Sequence, residues 1–268
     1  MPPHHLWTGA ARAAYARMAD AAPYGAMRAN PAAELVRGLS YDRVLCLGVG
    51  PDAQAEAGAL TALAAAPSHI YVHDITADSA SMMCARLAQL MAASTSDELA
   101  RFGAAPAVEF AAGSGDLRRP ELLAPSVEHF ALTTLLGYTL GNLTDDEALH
   151  FLRRVATVSG QLLLDVPAAW DRDPRLRARA FDPGAEVTWF EAAYADWRGH
   201  PPVASVQSEV ERCADGYVVR ITADNCELMR FRRRSVSGWI ALFEQGGWSL
   251  RKGSVTDGYP RLAALLTT

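Results

Sequence analysis

The strongest constraint on the fold is an alternation of short apolar runs with helix-length segments between residues 43 and 166. The apolar runs are too short for helices and predict buried strands, at residues 43–47, 69–73, 108–112, 129–136 and 161–166. The segments between them predict helices, at residues 53–66, 78–92 and 144–158. Strands that alternate with helices form a mainly parallel sheet covered on both faces. We therefore expect an α/β fold with a Rossmann-like, doubly wound sheet.

The residues before and after this alternation follow other patterns. Two short helices are expected first, at residues 8–22 and 32–38. Prolines and arginines dominate from about residue 171, and the next expected elements are strands at residues 206–212 and 217–221. These strands flank Ala214-Asp215-Gly216, a sequence typical of an antiparallel hairpin. A helix at residues 237–245 and strands at residues 248–255 and 261–266 complete the order.

Charge and composition exclude several classes of protein. The net charge is −5 and Lys252 is the only lysine, whereas proteins that grip a phosphate backbone show a basic stripe, so no nucleic acid is expected. The basic run at residues 230–234 predicts an ordinary strand with a solvated face. No apolar run approaches the roughly 20 residues that span a bilayer, and no signal peptide is evident, so we expect a cytoplasmic protein. The scattered cysteines indicate neither a disulfide framework nor a metal site.

Polar and glycine residues follow three of the predicted strands. Gly48 and Gly50 come directly after the first strand, where glycines let a nucleotide-type ligand approach the backbone; the alternative is a tight turn. Asp74 ends the second strand, where a carboxylate can accept hydrogen bonds from both ribose hydroxyls of an adenosine. Alternatively, it can merely cap the next helix. Asp116 follows the third strand and can accept from an adenine amino group, or can be an ordinary loop carboxylate.

These features fit S-adenosylmethionine and NAD equally, because Gly48, Gly50 and Ala53 also match the dinucleotide pattern G-x-G-x-x-G/A. A Tyr-x-x-x-Lys pair, common in hydride transfer, is absent since no tyrosine lies four residues before Lys252. Neither a G-x-S-x-G nucleophile elbow nor an H-E-x-x-H metal helix occurs.

The segment at residues 135–143, Leu-Leu-Gly-Tyr-Thr-Leu-Gly-Asn-Leu, and the helix over residues 147–154 resemble the histidine-specific methyltransferase family of ergothioneine biosynthesis. The stretches at residues 48–50, 71–75 and 115–116 agree with that family in order. The resemblance implies a class I methyltransferase core, S-adenosylmethionine as donor and S-adenosylhomocysteine as product. It also implies N-methylation of a small amino-acid-like or amine acceptor.

The positions after the strands and the resemblance together assign two groups of site residues. The donor group is Gly48, Gly50, Asp74, Ile75, Gly115, Asp116 and Leu117. The acceptor group is Trp7, Tyr24, Tyr138, Thr139, Asn142, Arg233 and Ser235. Three positions depart from the family: Trp7 stands where it has a second tyrosine, Asp52 where it has a lysine, and Arg233 where it has the glutamate of a Glu-x-Ser motif. A cation cannot accept a hydrogen bond from an imidazole N–H, so we expect an acceptor with an anionic group rather than histidine.

Simpler roles are open for several of these residues. Trp7 and Tyr24 can pack an N-terminal helix, Asn142 can cap the helix that begins near Thr144, and Arg233 can lie in solvent. The expected organisation is an N-terminal helical cap at residues 1–38 that contributes to the acceptor pocket, a donor-binding core at residues 39–182, and a β-rich extension at residues 183–268. The rival functions are an inactive methyltransferase-like scaffold or ligand sensor, and a nicotinamide-dependent oxidoreductase.

Overall fold

A computed structural model describes residues 1, 3–7, 9–20, 31–50, 53–102, 108–119, 129–169, 183–256 and 261–268. The chain divides into two compact units. The small unit comprises Met1–Ala29, Gly141–Leu143 and Pro167–Gly238, and the large unit comprises Asn30–Leu140, Thr144–Val166 and Trp239–Thr268. Because both units take non-contiguous stretches of chain, the three-part division expected from the sequence remains a prediction about roles.

The large unit is built on a seven-stranded sheet. Its strands are β1 (Arg43–Leu47), β2 (His69–Asp74), β3 (Glu109–Ser114), β4 (Leu132–Leu135), β5 (Gln161–Pro167), β9 (Ser249–Thr256) and β10 (Arg261–Thr267). Their order is β3-β2-β1-β4-β5-β10-β9. Each pair of neighbours among the first five strands in this order is parallel, and β10 is antiparallel to β9. The order reverses between β1 and β4, and open α/β sheets bind ligands beyond the strand ends at such a point.

The helices of the large unit bury one apolar face each. They are α2 (Ala32–Val36), α3 (Gln54–Thr61), α4 (Ala77–Phe102), α5 (Asp145–Val158) and α7 (Val236–Gln245), whose first residues fall in the small unit. Val44 and Cys46 on β1 share a fully buried cluster with Leu60 on α3 and Leu87 on α4. Thr144 and Glu147 form the predicted capping box at the start of α5.

Several predicted boundaries needed correction. The helix predicted for residues 53–66 ends at Thr61, and the helix predicted for residues 78–92 continues to Phe102. β4 begins at Leu132 rather than at residue 129. No helix among the described residues is long and apolar enough to cross a membrane.

The small unit pairs an antiparallel sheet with two helices. Its strands β6 (Gln207–Cys213), β7 (Gly216–Ala223) and β8 (Cys226–Arg234) pair in sequence order, and its helices are α1 (Gly9–Asp20) and α6 (Pro183–Arg198). We did not predict α6 from the sequence, because it follows a stretch rich in proline and arginine. Its aromatic residues Trp189, Phe190 and Tyr194 are nevertheless spaced for one helix face, and all three are buried.

The arginines of β8 contradict the prediction of a solvated face. Arg232, Arg233 and Arg234 are each only 7% exposed. Arg232 and Arg234 point to the same face of the strand and both donate to the carboxylate of Asp215, in the turn between β6 and β7. Arg233 points to the other face, in register with Tyr217. The last three arginines of the basic run are therefore buried, and their charge is partly balanced within the unit.

Candidate functional site

Gly48 lies at the carboxyl end of β1 and needs to be a glycine. Its φ is +56°, which side chains rarely adopt, and its N–H donates to the backbone oxygen of His73 at 2.9 Å. A Cβ added at Gly48 would lie 3.3 Å from Thr139 Oγ1 and 3.5 Å from Leu117 Cδ1. The ends of β1, β3 and β4 therefore bring three predicted site residues together in the large unit.

Gly50 differs from Gly48 because it has no steric requirement of its own. A Cβ added there would meet no atom within 4 Å among those described. Its backbone oxygen accepts from Ala53 N–H at 2.9 Å, and Ala53 begins α3 with a φ of +53°. Open space over Gly50 suits the approach of a ligand to the backbone. Asp52 lies outside the described residues.

Asp74 lies at the end of β2, where capping of the next helix was the simpler role open to it. Thr76 takes that role: its Oγ1 accepts from Ser79 N–H at 3.1 Å. Asp74 Oδ1 accepts from Ile75 N–H at 2.6 Å, and its backbone oxygen accepts from Gly115 N–H at 2.9 Å. These bonds hold the half-buried Asp74 carboxylate at the end of β2, beside the loop that leaves β3.

Asp116 has a partner that the sequence analysis missed. Arg118 donates to both carboxylate oxygens, with Nε at 3.1 and 3.0 Å and Nη2 at 2.5 Å. Burial alone would raise the pKa of Asp116, but the hydrogen bonds and charge of Arg118 outweigh it and lower the pKa. Asp116 is thus an ionised acceptor held in place by its neighbour.

The loop after β4 contains two residues in the left-handed region, Gly137 with a φ of +91° and Tyr138 with a φ of +68°. Asp165 Oδ1 accepts from both backbone N–H groups, at 2.6 and 3.2 Å. Arg261 Nε donates to the Tyr138 hydroxyl at 2.6 Å. Sequence analysis missed Asp165 and Arg261, although an aspartate inside the apolar strand at residues 161–166 was a signal, since buried carboxylates need partners.

In the small unit, Asn142 and Arg233 lie in adjoining segments. A Cβ added at Gly141 would lie 2.9 Å from Pro167 Cγ and 3.1 Å from the backbone oxygen of Arg232, so only glycine fits there. Asn142 is not the helix cap, because Thr144 caps α5. The buried Asn142 Oδ1 accepts no hydrogen bond from any residue that the structure describes.

The remaining acceptor candidates have structural contacts. Ser235 Oγ accepts from Gly238 N–H at 3.0 Å, at the start of α7. The Trp7 ring packs against Tyr15 and Trp189, with centroids 4.9 and 5.3 Å away. The packing role considered for Trp7 thus has direct support, while Tyr24 lies outside the described residues. Tyr15 was not predicted as a site residue, but its partly exposed ring lies beside Trp7.

No family model matches the sequence, and no curated protein matches it either. Solved structures do match, at low identity. A putative O-methyltransferase from Nostoc punctiforme PCC 73102 gives a TM-score of 0.54 at 13% identity, over 99% of this chain and 61% of that one. This chain therefore spans less than two thirds of that protein.

Two further matches are closer in length to this chain. Magnesium protoporphyrin IX methyltransferase from Synechocystis PCC 6803, solved with bound SAH, gives a TM-score of 0.51 at 12% identity over 98% of this chain and 96% of that one. DhpI, solved as a SAM-HEP complex, gives 0.50 at 16% identity over 96% and 94%. The expected class I methyltransferase fold is thereby confirmed.

Proposed function

We propose that this chain is an S-adenosylmethionine-dependent methyltransferase whose acceptor is a small amine or amino-acid-like molecule. The observation that carries the proposal is the meeting of Gly48, Leu117 and Thr139 at the carboxyl edge of the sheet, where the strand order reverses. Glycine backbone and short side chains at that edge suit an adenosine ligand. Asp74 on the neighbouring strand adds the carboxylate that ribose hydroxyls require.

Each residue of the donor group would contact a particular part of S-adenosylmethionine. Gly48 and Gly50 would let the backbone approach the donor, and Asp74 would accept from the ribose hydroxyls. Ile75, Gly115, Asp116 and Leu117 would surround the adenine, with the Asp116 carboxylate accepting from its amino group. Bound there, S-adenosylmethionine would supply a methyl group already activated by the sulfonium charge.

The protein's own task would be to orient the acceptor. An attacking amine must be neutral and aligned behind the methyl group, so positioning matters more than acid–base groups. We assign the alignment to Asn142, whose buried Oδ1 can accept an amine N–H, and to Tyr138 and Thr139 at the end of β4. Trp7, Tyr24 and Ser235 complete the proposed acceptor group.

The finer proposal is that the acceptor carries an anionic group and is not histidine. Arg233 supports it, because the residue is only 7% exposed and a largely desolvated guanidinium favours a carboxylate or phosphate group. Within the methyltransferases of ergothioneine biosynthesis that this sequence resembles, the corresponding glutamate would suit an imidazole instead. A divergent member with a changed acceptor accounts for both the resemblance and the departure.

The test is an assay of S-adenosylhomocysteine release across paired amines that differ only in a carboxylate. We expect turnover of carboxylate-bearing acceptors, with KM raised about tenfold or more by Arg233→Gln, since a hydrogen bond to a charged group is worth about 1.5–3 kcal/mol. Arg230→Gln is the matched control, because Arg230 lies on the same strand and pairs with Glu227 on the surface.

Three results, from this assay and from titrations with S-adenosylmethionine and NAD, would count against the proposal. An unchanged KM in Arg233→Gln would remove the anionic acceptor. Donor binding without turnover of any amine would favour a ligand-sensing subunit, and binding of NAD in place of S-adenosylmethionine would favour the oxidoreductase.

A further inference from the structure

The turn after β4 has two consecutive residues with a positive φ, Gly137 and Tyr138. Gly137 tolerates its φ of +91° because it has no side chain, but Tyr138 holds a φ of +68° with a bulky one. A residue in this region persists only where its surroundings determine the conformation. The contacts of Tyr138 should therefore show what fixes the turn.

Asp165 holds the backbone of the turn. It follows Leu164, which pairs with Leu135 at the last register position between β5 and β4. From there its Oδ1 accepts from Gly137 N–H at 2.6 Å and from Tyr138 N–H at 3.2 Å, and the side chain is only 1% exposed. The two N–H groups share this oxygen while both residues hold a positive φ, so the bonds support the backbone conformation of the turn.

Arg261 holds the side chain of the turn. It begins β10, the neighbour of β5 in the sheet, and is 3% exposed. Its Nε donates to the Tyr138 hydroxyl at 2.6 Å, and its guanidinium carbon lies 4.9 Å from the centre of the Tyr138 ring. The same Nε lies 3.6 Å from Asp165 Oδ2. Backbone and side chain of Tyr138 are thus tied to one buried pair of opposite charges.

We propose that Asp165 and Arg261 are positioning residues that fix the Gly137-Tyr138 turn and, through it, the acceptor side of the active site. The catalytic consequence rests on the proposed methyltransferase function; the hold on the turn does not. Neither residue touches the donor or acceptor in this scheme. Their effect passes through Tyr138, which follows the last residues of β4 and precedes Thr139 at the Gly48 contact.

Hydrogen exchange tests the hold on the turn directly. In Asp165→Asn the carboxylate charge is lost, and an amide N–H₂ placed near Arg261 would disfavour the present arrangement. We expect the Gly137 and Tyr138 amides to exchange at least about tenfold faster than in the wild type, because their charged acceptor is gone. Unchanged exchange in a folded Asp165→Asn variant would overturn the proposal.

Arg261 allows the same test without removing the backbone acceptor. Arg261→Gln should raise the acceptor KM about tenfold while kcat falls less, since a displaced Tyr138 misplaces the acceptor. A role in stability alone would instead lower the active fraction, and so kcat, at constant KM. Arg261→Lys, which keeps the charge but loses the planar geometry, should recover only part of the KM.

Arg251→Gln is the matched control. Arg251 lies on β9, is exposed, and donates to Gln161 Oε1 at 3.3 Å, remote in sequence from the turn. We expect wild-type KM and wild-type exchange from it. If Asp165→Asn does not fold, the Tyr138 amide exchange and the KM of Arg261→Gln decide; wild-type values for both would overturn the proposal.

Failure of the inference and failure of the proposed function give different results. A wild-type protein that binds no S-adenosylmethionine would remove the function but leave the exchange result standing. Normal turnover by the wild type, together with wild-type amide exchange at residues 137 and 138 in Asp165→Asn and Arg261→Gln, would contradict the inference but not the proposed function.

Discussion

The two units place their polar groups by different means. In the large unit, the candidate donor site consists of glycine backbone and single residues at strand ends, each next to the element that positions it. In the small unit, two buried arginines depend on one aspartate 17 and 19 residues away in the chain. The difference teaches that the positions of glycine and polar residues at strand ends follow from local sequence, whereas buried charge depends on pairing that only the fold creates.

The largest expected effect comes from removing the shared partner of those arginines. Asp215→Asn should lower the free energy of unfolding by about 3 kcal/mol, because it removes the carboxylate charge to which the buried Arg232 and Arg234 both donate. Denaturant titration measures this loss. Glu227→Gln, which removes a surface partner of Arg230, should cost less than about 1 kcal/mol. Equal losses for the two variants would contradict the buried character of the β8 arginines.

Acidification should weaken the ion pairs that Asp215 forms with Arg232 and Arg234. Burial alone would raise the pKa of Asp215, but hydrogen bonds and charges from Arg234 and Arg232 outweigh it and lower the pKa. A lowered carboxyl pKa contributes stability above the unfolded-state value, about 3.9, and this contribution is lost as pH falls through the folded-state value. The stability difference between the wild type and Asp215→Asn should therefore shrink below about pH 4. A difference that grows on acidification would contradict this account.

The two glycines after β1 should separate folding from binding. Gly48→Ala should lower the free energy of unfolding by about 1–2 kcal/mol, since it combines a positive φ with a close approach to Thr139. Gly50→Ala meets no described atom and should leave thermal stability nearly unchanged while weakening donor binding. Thermal melts with and without S-adenosylhomocysteine measure both effects. If Gly50→Ala bound the donor as the wild type does, the open space over Gly50 would have no role in binding.

The smallest effect concerns a feature that is wholly local. Thr144→Ala removes the hydroxyl that accepts from Glu147 N–H and should cost about 1 kcal/mol. Thr157→Ala, at the far end of the same helix, is the control, and its effect should be smaller because its hydroxyl bonds only within the helix. If Thr144→Ala lowered the free energy of unfolding as much as Asp215→Asn does, local and long-range polar groups would not differ in their contribution to stability.

Much of the large unit could be predicted from the sequence. Strand β1 matches its predicted range, and the Thr144 capping box lies where Thr144 and Glu147 indicated. These features depend on residues within one or two turns of each other. The position of Gly48 at the end of a buried strand could be predicted for the same reason, and its role in donor binding stays a prediction.

The errors share a physical cause. Arg232 and Arg234 were expected in solvent because their partner Asp215 lies in another turn, and Asp165 was missed because Arg261 is distant in the chain. Helix α6 was missed because its buried face is completed by residues such as Leu6, whose backbone oxygen accepts from Trp189 Nε1. Such contacts carry no local pattern in the sequence.

The central claim is that the carboxyl edge of the seven-stranded sheet binds S-adenosylmethionine through Asp74. Isothermal titration of the wild type, Asp74→Ala and Asp78→Ala tests it, with exposed Asp78 in the first turn of α4 as the control. We expect micromolar binding, about −8 kcal/mol, in the wild type and in Asp78→Ala, and at least tenfold weaker binding in Asp74→Ala. No binding by the wild type, or equal binding by Asp74→Ala, would contradict the claim.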